Sequence, residues 1–103
     1  FTDPVSVLEA VFTAAQTEDF AALSGLCDPR GENDDDTALI CAITAEHPDM
    51  DSFVEYFAPA RVAGNAAVDG DRAEIPFLFG PDGARQETMG LVQREGKWYL
   101  SDF

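Results

Sequence analysis

Two patterns of apolar spacing divide the chain. Up to Pro59 apolar residues recur at three- and four-residue steps, and from Ala60 they alternate in short runs separated by turn residues. Asp3 and Pro4 open a first helix, because the carboxylate caps free backbone donors and a proline in the first turn forfeits no intrahelical bond. Val5, Leu8, Phe12 and Ala15 fall on one face of it and Glu9, Thr13 and Gln16 on the other, and the pattern predicts an end near Gln16. Thr17 reads as the cap of a short second helix through Phe20, Leu23 and Leu26, stopped around Gly25 and the Asp28-Pro29 break. Residues 30–36 carry no apolar side chain and read as a surface loop, whose acidic end, Asp34-Asp35-Asp36, suits the positive N-terminus of a following helix. That third helix is expected over 37–46, burying Leu39, Ile40 and Ile43, and halting at His47 because Pro48 disfavours helix there. Residues 51–57, with Asp51 as cap and Phe53, Val54, Tyr56 and Phe57 following, predict a last helical turn or two before Pro59.

The second half predicts four strands joined by three hairpins. The runs RVAGNAAV, RAEIPFLF, ARQETMGLVQR and KWYLSDF are separated by Asp69-Gly70-Asp71, Gly80-Pro81-Asp82-Gly83 and Glu95-Gly96. In the second run Ala73, Ile75, Phe77 and Phe79 alternate with Arg72, Glu74, Pro76 and Leu78, which turns the first set towards the helices. Pro76 cannot donate a ladder bond, so its strand needs an edge, a bulge or a bend at that point. The fold class that follows is α+β, one domain over residues 1–103, with N-terminal helices on a four-stranded antiparallel meander.

Charge narrows the partners. Six Lys plus Arg against 20 Asp plus Glu give a formal net charge of −14, which repels phosphate backbones and anionic membrane surfaces and excludes nucleic acid as a natural partner. No run approaches the ~20 apolar residues of a membrane-spanning helix. The chain opens on Phe1-Thr2-Asp3-Pro4 without a Met and so looks trimmed, which removal of an export signal or a boundary cut within a longer chain would equally explain.

Cys27 and Cys41 flank the acidic loop. A disulfide between them closes a loop of about 15 residues and stabilises the fold by about 3 kcal/mol in the chain-entropy account. Two buried free thiols are the other reading, since Cys is among the most buried residue types. Metal binding finds no CxxC, and the single His47 stands apart from both cysteines. Calcium in the acidic loop lacks the DxDxDG spacing. No metal and no cofactor is expected.

The two motifs that punctuate the strands carry a resemblance. Gly70, Asp71, Ala73 and Ile75 match GD-x-A-x-(apolar), and Gly96, Lys97, Trp98 and Leu100 match a closing G-K-W-x-(apolar), after a helix that ends in the acidic turn TEDFAAL. Over nearly the whole chain this resembles the exported, largely uncharacterised branch of the nuclear transport factor 2-like, or cystatin-like, superfamily. The resemblance implies a curved sheet wrapped round the first helix, leaving a cone that can admit a small apolar ligand. Phe12, Phe57, Phe77, Phe79, Met89 and Trp98 are its expected lining, or else simply core. It also implies an exported bacterial protein, periplasmic, secreted or lipid-anchored, with a homodimer through the sheet among its partners.

Catalytic members of such a superfamily use buried Asp, His or Tyr side chains for proton transfer, and no such set is found. His47 lies at a proline break, where a solvated or locally bonded ring is expected. Tyr56 and Tyr99 could at most donate a hydrogen bond, and Glu74 and Glu87 are expected to point outward. There is no GxSxG and no phosphate-binding glycine loop. The leading expectation is a non-catalytic binding or interaction domain of the cell envelope. A small isomerase- or dehydratase-like enzyme, or a structural dimerisation domain, are the alternatives.

Overall fold

The computed structural model describes residues 1–103 and has three helices and one open antiparallel sheet of five strands. Helix α1 spans Pro4–Thr17, with the Asp3 carboxylate accepting from the Val5 amide and Glu18 ending it in the left-handed region at φ 55°. Its buried stripe, which includes Val7, Leu8, Val11 and Phe12, joins the inward side chains of the sheet in a single core of 20 residues.

No second helix forms between Thr17 and Leu26. Only a single 3₁₀ turn, Phe20–Ala22, is present, and the Thr17 hydroxyl donates to the Thr13 carbonyl instead of capping anything. At the far end of the segment the backbone bonds to the sheet. The Leu100 amide donates to the Leu26 carbonyl at 2.7 Å, and the Asp28 amide donates to the Leu100 carbonyl at 3.1 Å. Leu23 and Leu26 are still buried, as the apolar spacing requires.

Helix α2 spans Asp35–Ala42, capped by Asp34, and stops five residues short of His47. Ile43 leaves the helix with extended backbone (ψ 131°) while its side chain is buried, so packing of this β-branched residue ends the helix before the proline can. Leu39 is 40% exposed rather than buried, because only Ile40 and Thr37 of α2 face the core. Helix α3 spans Met50–Phe57, one residue earlier than its expected start, and buries Phe53 and Phe57. His47 accepts from the Asp49 amide through Nδ1, a local bond at the turn between α2 and α3.

The expected first strand divides in two. Strand β1 (Arg61–Val62) and strand β2 (Ala67–Asp69) both pair with the same edge of β3 (Arg72–Phe79), opposite Phe77-Leu78 and Arg72–Glu74 respectively. Pro76 sits between these two pairings. In an antiparallel strand a residue's N–H and C=O point to the same neighbour, and the Pro76 carbonyl accepts from Ala63 at 2.9 Å, so its missing donor faces the interrupted edge. A Cβ on Gly64 would stand 2.9 Å from Pro76 Cγ, which explains the glycine there. The irregularity that Pro76 demands is thus borne by its partner strand. Strand β4 (Arg85–Arg94) pairs along the whole of β3, and β5 (Lys97–Asp102) follows through a two-residue turn in which Glu95 and Gly96 both have positive φ.

Cys27 and Cys41 form a disulfide across a Cα–Cα distance of 6.2 Å, joining the segment beside β5 to the last turn of α2. Replacing both cysteines by serine is expected to lower stability by about 3 kcal/mol, read from urea denaturation with a steeper slope, since the unbridged unfolded chain exposes more surface. Trp98, 5% exposed, should cost about 3–5 kcal/mol on truncation to alanine. Leu78, half-buried on the opposite face, should cost clearly less, and the reverse order in denaturant midpoints would contradict the packing described here.

Candidate functional site

Phe77 is fully buried at the centre of an aromatic group, with ring centroids of Phe12, Phe57 and Phe79 at 5.9, 6.4 and 5.4 Å. Phe103 closes the group at 5.9, 5.6 and 5.4 Å from Phe57, Phe77 and Phe79. These separations are those of rings in direct contact, so the four phenylalanines named from the sequence pack as a solid. Met89, opposite Ile75, is fully buried in the same core. Trp98 is not part of the aromatic group. It pairs with Gln93, whereas Phe77 pairs with Glu87, and six residues along β4 correspond to roughly 20 Å. Trp98 anchors the other end of the sheet, where its amide donates to the Phe1 carbonyl at 2.8 Å.

Glu87 departs from its expected side. Facing Phe77 across the ladder, it lies on the helix-facing side of the sheet, yet its side chain is exposed. Strand alternation orders the residues of β4 but cannot choose the face, which the register with β3 fixes. Glu74 is exposed, as expected.

The opening lined by the most hydrophobic residues lies on the other side of Phe57, as a groove of about 360 Å³ between α2 and α3. Leu39, Ile40 and Ile43 form one wall, Ser52, Phe53, Tyr56 and Phe57 the other, with Phe103 also in the lining and Asp36 and Asp49 as its charged members. Phe53 stacks on Phe57 at 5.2 Å, and the Arg85 guanidinium lies 5.2 Å from the centre of the Tyr56 ring. Of the residues named from sequence for a pocket, only Phe57 lines this groove. Leu39, Tyr56 and Phe103 escaped notice because a helical residue at core spacing and a terminal aromatic give no sign that they will border a cavity.

The strongest polar contacts lie elsewhere. Arg94 grips Asp28 in bidentate fashion, Nε to Oδ1 at 3.1 Å and Nη2 to Oδ2 at 3.0 Å, and the Asp28 side chain has no exposed surface. The Arg30 and Glu32 amides also donate to Asp28. Glu32 in turn accepts from Arg94 at 2.8 Å and Arg72 at 3.3 Å. Hydrogen bonding to Arg94 is the chief reason that Asp28 is lowered from 3.8 to about 2; burial opposes it and the two amides add to it. At Asp34 burial also opposes ionisation. It is outweighed by the nearby Thr37 hydroxyl, the Phe103 and Thr37 amides and Asp102, leaving Asp34 at about 2. The Thr37 hydroxyl is buried and makes no hydrogen bond of its own. Asp102 is shifted up, first by hydrogen bonding to Asp34, then by burial and by the Asp34 charge. No group of three or more His, Cys, Asp or Glu side chains is placed to hold a metal ion.

Comparison of the chain with protein-family models, curated proteins and solved structures found no match.

Because Asp28 has a depressed folded pKa, its contribution is fully present above the ordinary carboxylate value and is lost as pH falls towards about 2. The drop from 3.8 to about 2 corresponds to about 2 kcal/mol for this buried group. Asp34 acts in the same direction and Asp102, shifted up, in the opposite one. Stability measured by urea denaturation should therefore fall between about pH 4 and pH 2. Asp28→Asn should cost about 3 kcal/mol at pH 7, since it leaves Arg94 only 11% exposed beside an uncharged partner, and should flatten this acid limb. Asp34 keeps its own share of the limb in the variant, and a limb of undiminished steepness would refute the assignment.

Proposed function

We propose that this chain is a non-catalytic binding domain of the bacterial cell envelope that takes a small apolar molecule in the groove between α2 and α3. One observation carries the reading. Seven of the ten residues lining the groove are hydrophobic, and none of the five groups with a shifted ionisation, Asp28, Glu32, Asp34, Arg94 and Asp102, is among them. Enzymes that move protons place perturbed groups where the substrate sits. Here those groups clamp the loop before α2 to the sheet, and the apolar opening stands apart from them. The groove is of the size of small-ligand clefts, at the lower end of their range.

Export is supported by the disulfide, which persists in oxidising compartments and is rare in the cytosol. No helix is long and apolar enough to cross a membrane. The Gly70-Asp71-x-Ala73 and Gly96-Lys97-Trp98 motifs, together with helices leading into an antiparallel sheet, support membership of the nuclear transport factor 2-like superfamily. Within that reading Phe103 and Phe57 take the space at the open end of the cone, and the ligand binds beside it.

The test is titration with a neutral hydrophobic fluorophore. Binding should be flat between about pH 5 and 8, because no histidine lines the groove and His is the side chain that ordinarily titrates in that interval. Ser52→Trp, an exposed position on the groove wall, should weaken binding about tenfold or more by filling the space, whereas Leu78→Ala on the opposite face should not. A steep pH transition near neutrality would overturn the non-catalytic reading.

A further inference from the structure

The distribution of charge around the groove narrows the ligand class, on the premise that the groove is the binding site proposed above. All six Lys and Arg residues lie outside residues 31–60, the segment that supplies α2, α3 and their connection. Asp36 and Asp49, the two carboxylates in the lining, take part in none of the ion pairs of the molecule. Asp49 also makes no side-chain cap bond to α3. Two of the six cations, Arg72 and Arg94, are held by Asp28 and Glu32, while Arg85 lies over Tyr56. The groove thus joins an aromatic and aliphatic wall, with Arg85 over its Tyr56, to two carboxylates that no Lys or Arg pairs, in a domain of net charge −14.

We infer that the groove is specific for a small lipophilic cation, an organic ammonium whose apolar body lies against Phe53, Tyr56 and Phe57 and whose charge faces Asp36 and Asp49. An anion of the same shape is repelled by the rim and by the field of the whole domain, and a neutral molecule gains only the apolar contact. Aromatic faces further favour an alkylammonium head, whose weak hydration makes it easy to desolvate. Size selects a small molecule over a basic peptide helix. Two walls of eight residues each are about 12 Å long, and a groove of about 360 Å³ cannot seat an element 10–12 Å in diameter.

Three compounds with one benzyl body make the test: benzyltrimethylammonium, its uncharged isostere neopentylbenzene, and benzylsulfonate. Each is titrated into the intact protein and followed by amide chemical shifts. The expected result is shifts on α2 and α3, with the cation bound about tenfold or more tighter than the neutral compound at low ionic strength and the anion not bound. The advantage should shrink in about 1 M salt, where charges more than about 3 Å apart are screened. Asp36→Asn combined with Asp49→Asn should abolish the preference, bringing the affinity for benzyltrimethylammonium down to that for neopentylbenzene in the same variant, the amide spectrum reporting directly that the variant is folded. Equal affinity for the cation and the neutral compound would overturn the cation inference and leave the apolar-binding reading standing. Absence of binding by all three would overturn both. Cation binding that maps to the outer face of the sheet, or survives the double substitution, would overturn the inference alone.

Discussion

The bidentate contact between Asp28 and Arg94 holds the two halves of the molecule in one arrangement. Arg94 ends β4, and Asp28 begins the acidic segment that leads into α2, 66 residues away in sequence. A buried carboxylate is costly unless its charge is met, and here four donors from Arg94 and the Arg30 and Glu32 amides meet it. The geometry of a guanidinium fork fixes orientation as well as distance, so the segment cannot slide along β5 without losing both bonds. Everything downstream inherits that register. Asn33 and the Asp34 amide reach the carbonyls of Leu100 and Ser101, the Ser101 hydroxyl donates to the Glu32 carbonyl, and Asp34 then caps α2. The disulfide adds a second tie at the other end of α2, so the wall of the groove is fastened at both ends.

The same segment answers the edge problem of the sheet. β5 has one side free of β4, and an unpaired row of amides and carbonyls invites pairing with another chain. Leu26, Asp28, Asn33 and Asp34 use Leu100 and Ser101 on that side, with Cys27 bridging Leu100 in parallel fashion. At the opposite edge β1 and β2 are short and separated by the residues that face Pro76. One edge is covered and the other is broken, so the sheet ends on both sides without a long free strand.

What could be read from the sequence was local in origin. The cap at Asp3, the three hairpin turns and the alternation of Ala73, Ile75 and Phe77 depend on residues a few positions apart, and all appear in the fold. Pro76 announced an irregularity through its missing donor, although which strand would absorb it depended on the pairing partner. The misplaced elements were decided at long range. The segment before Asp28 formed a single 3₁₀ turn and runs into bonds with β5, α2 stopped where Ile43 entered the core, and Trp98 was separated from Phe77 by the register of a strand that neither residue occupies. Of the six aromatic and sulfur-bearing side chains named from the sequence, five are buried and Phe79 is half-buried. Their grouping was not legible, because parity along one strand says nothing about position along its neighbour.

The charge imbalance takes its meaning from where the few cations are spent. In a chain of net charge −14, cations placed evenly over the surface would lower self-repulsion most, yet Arg72 and Arg94 converge on Asp28 and Glu32, an arrangement that fixes the segment entering α2. The consequence is an α2–α3 region with aspartates at its helix starts and no Lys or Arg of its own. Negative charge at the start of a helix is favoured by the helix dipole, so Asp35, Asp36 and Asp51 are tolerated locally without partners. Local tolerance leaves Asp36 and Asp49 unneutralised beside an apolar wall, and the contact that orders the fold is thereby also the one that leaves its groove electronegative.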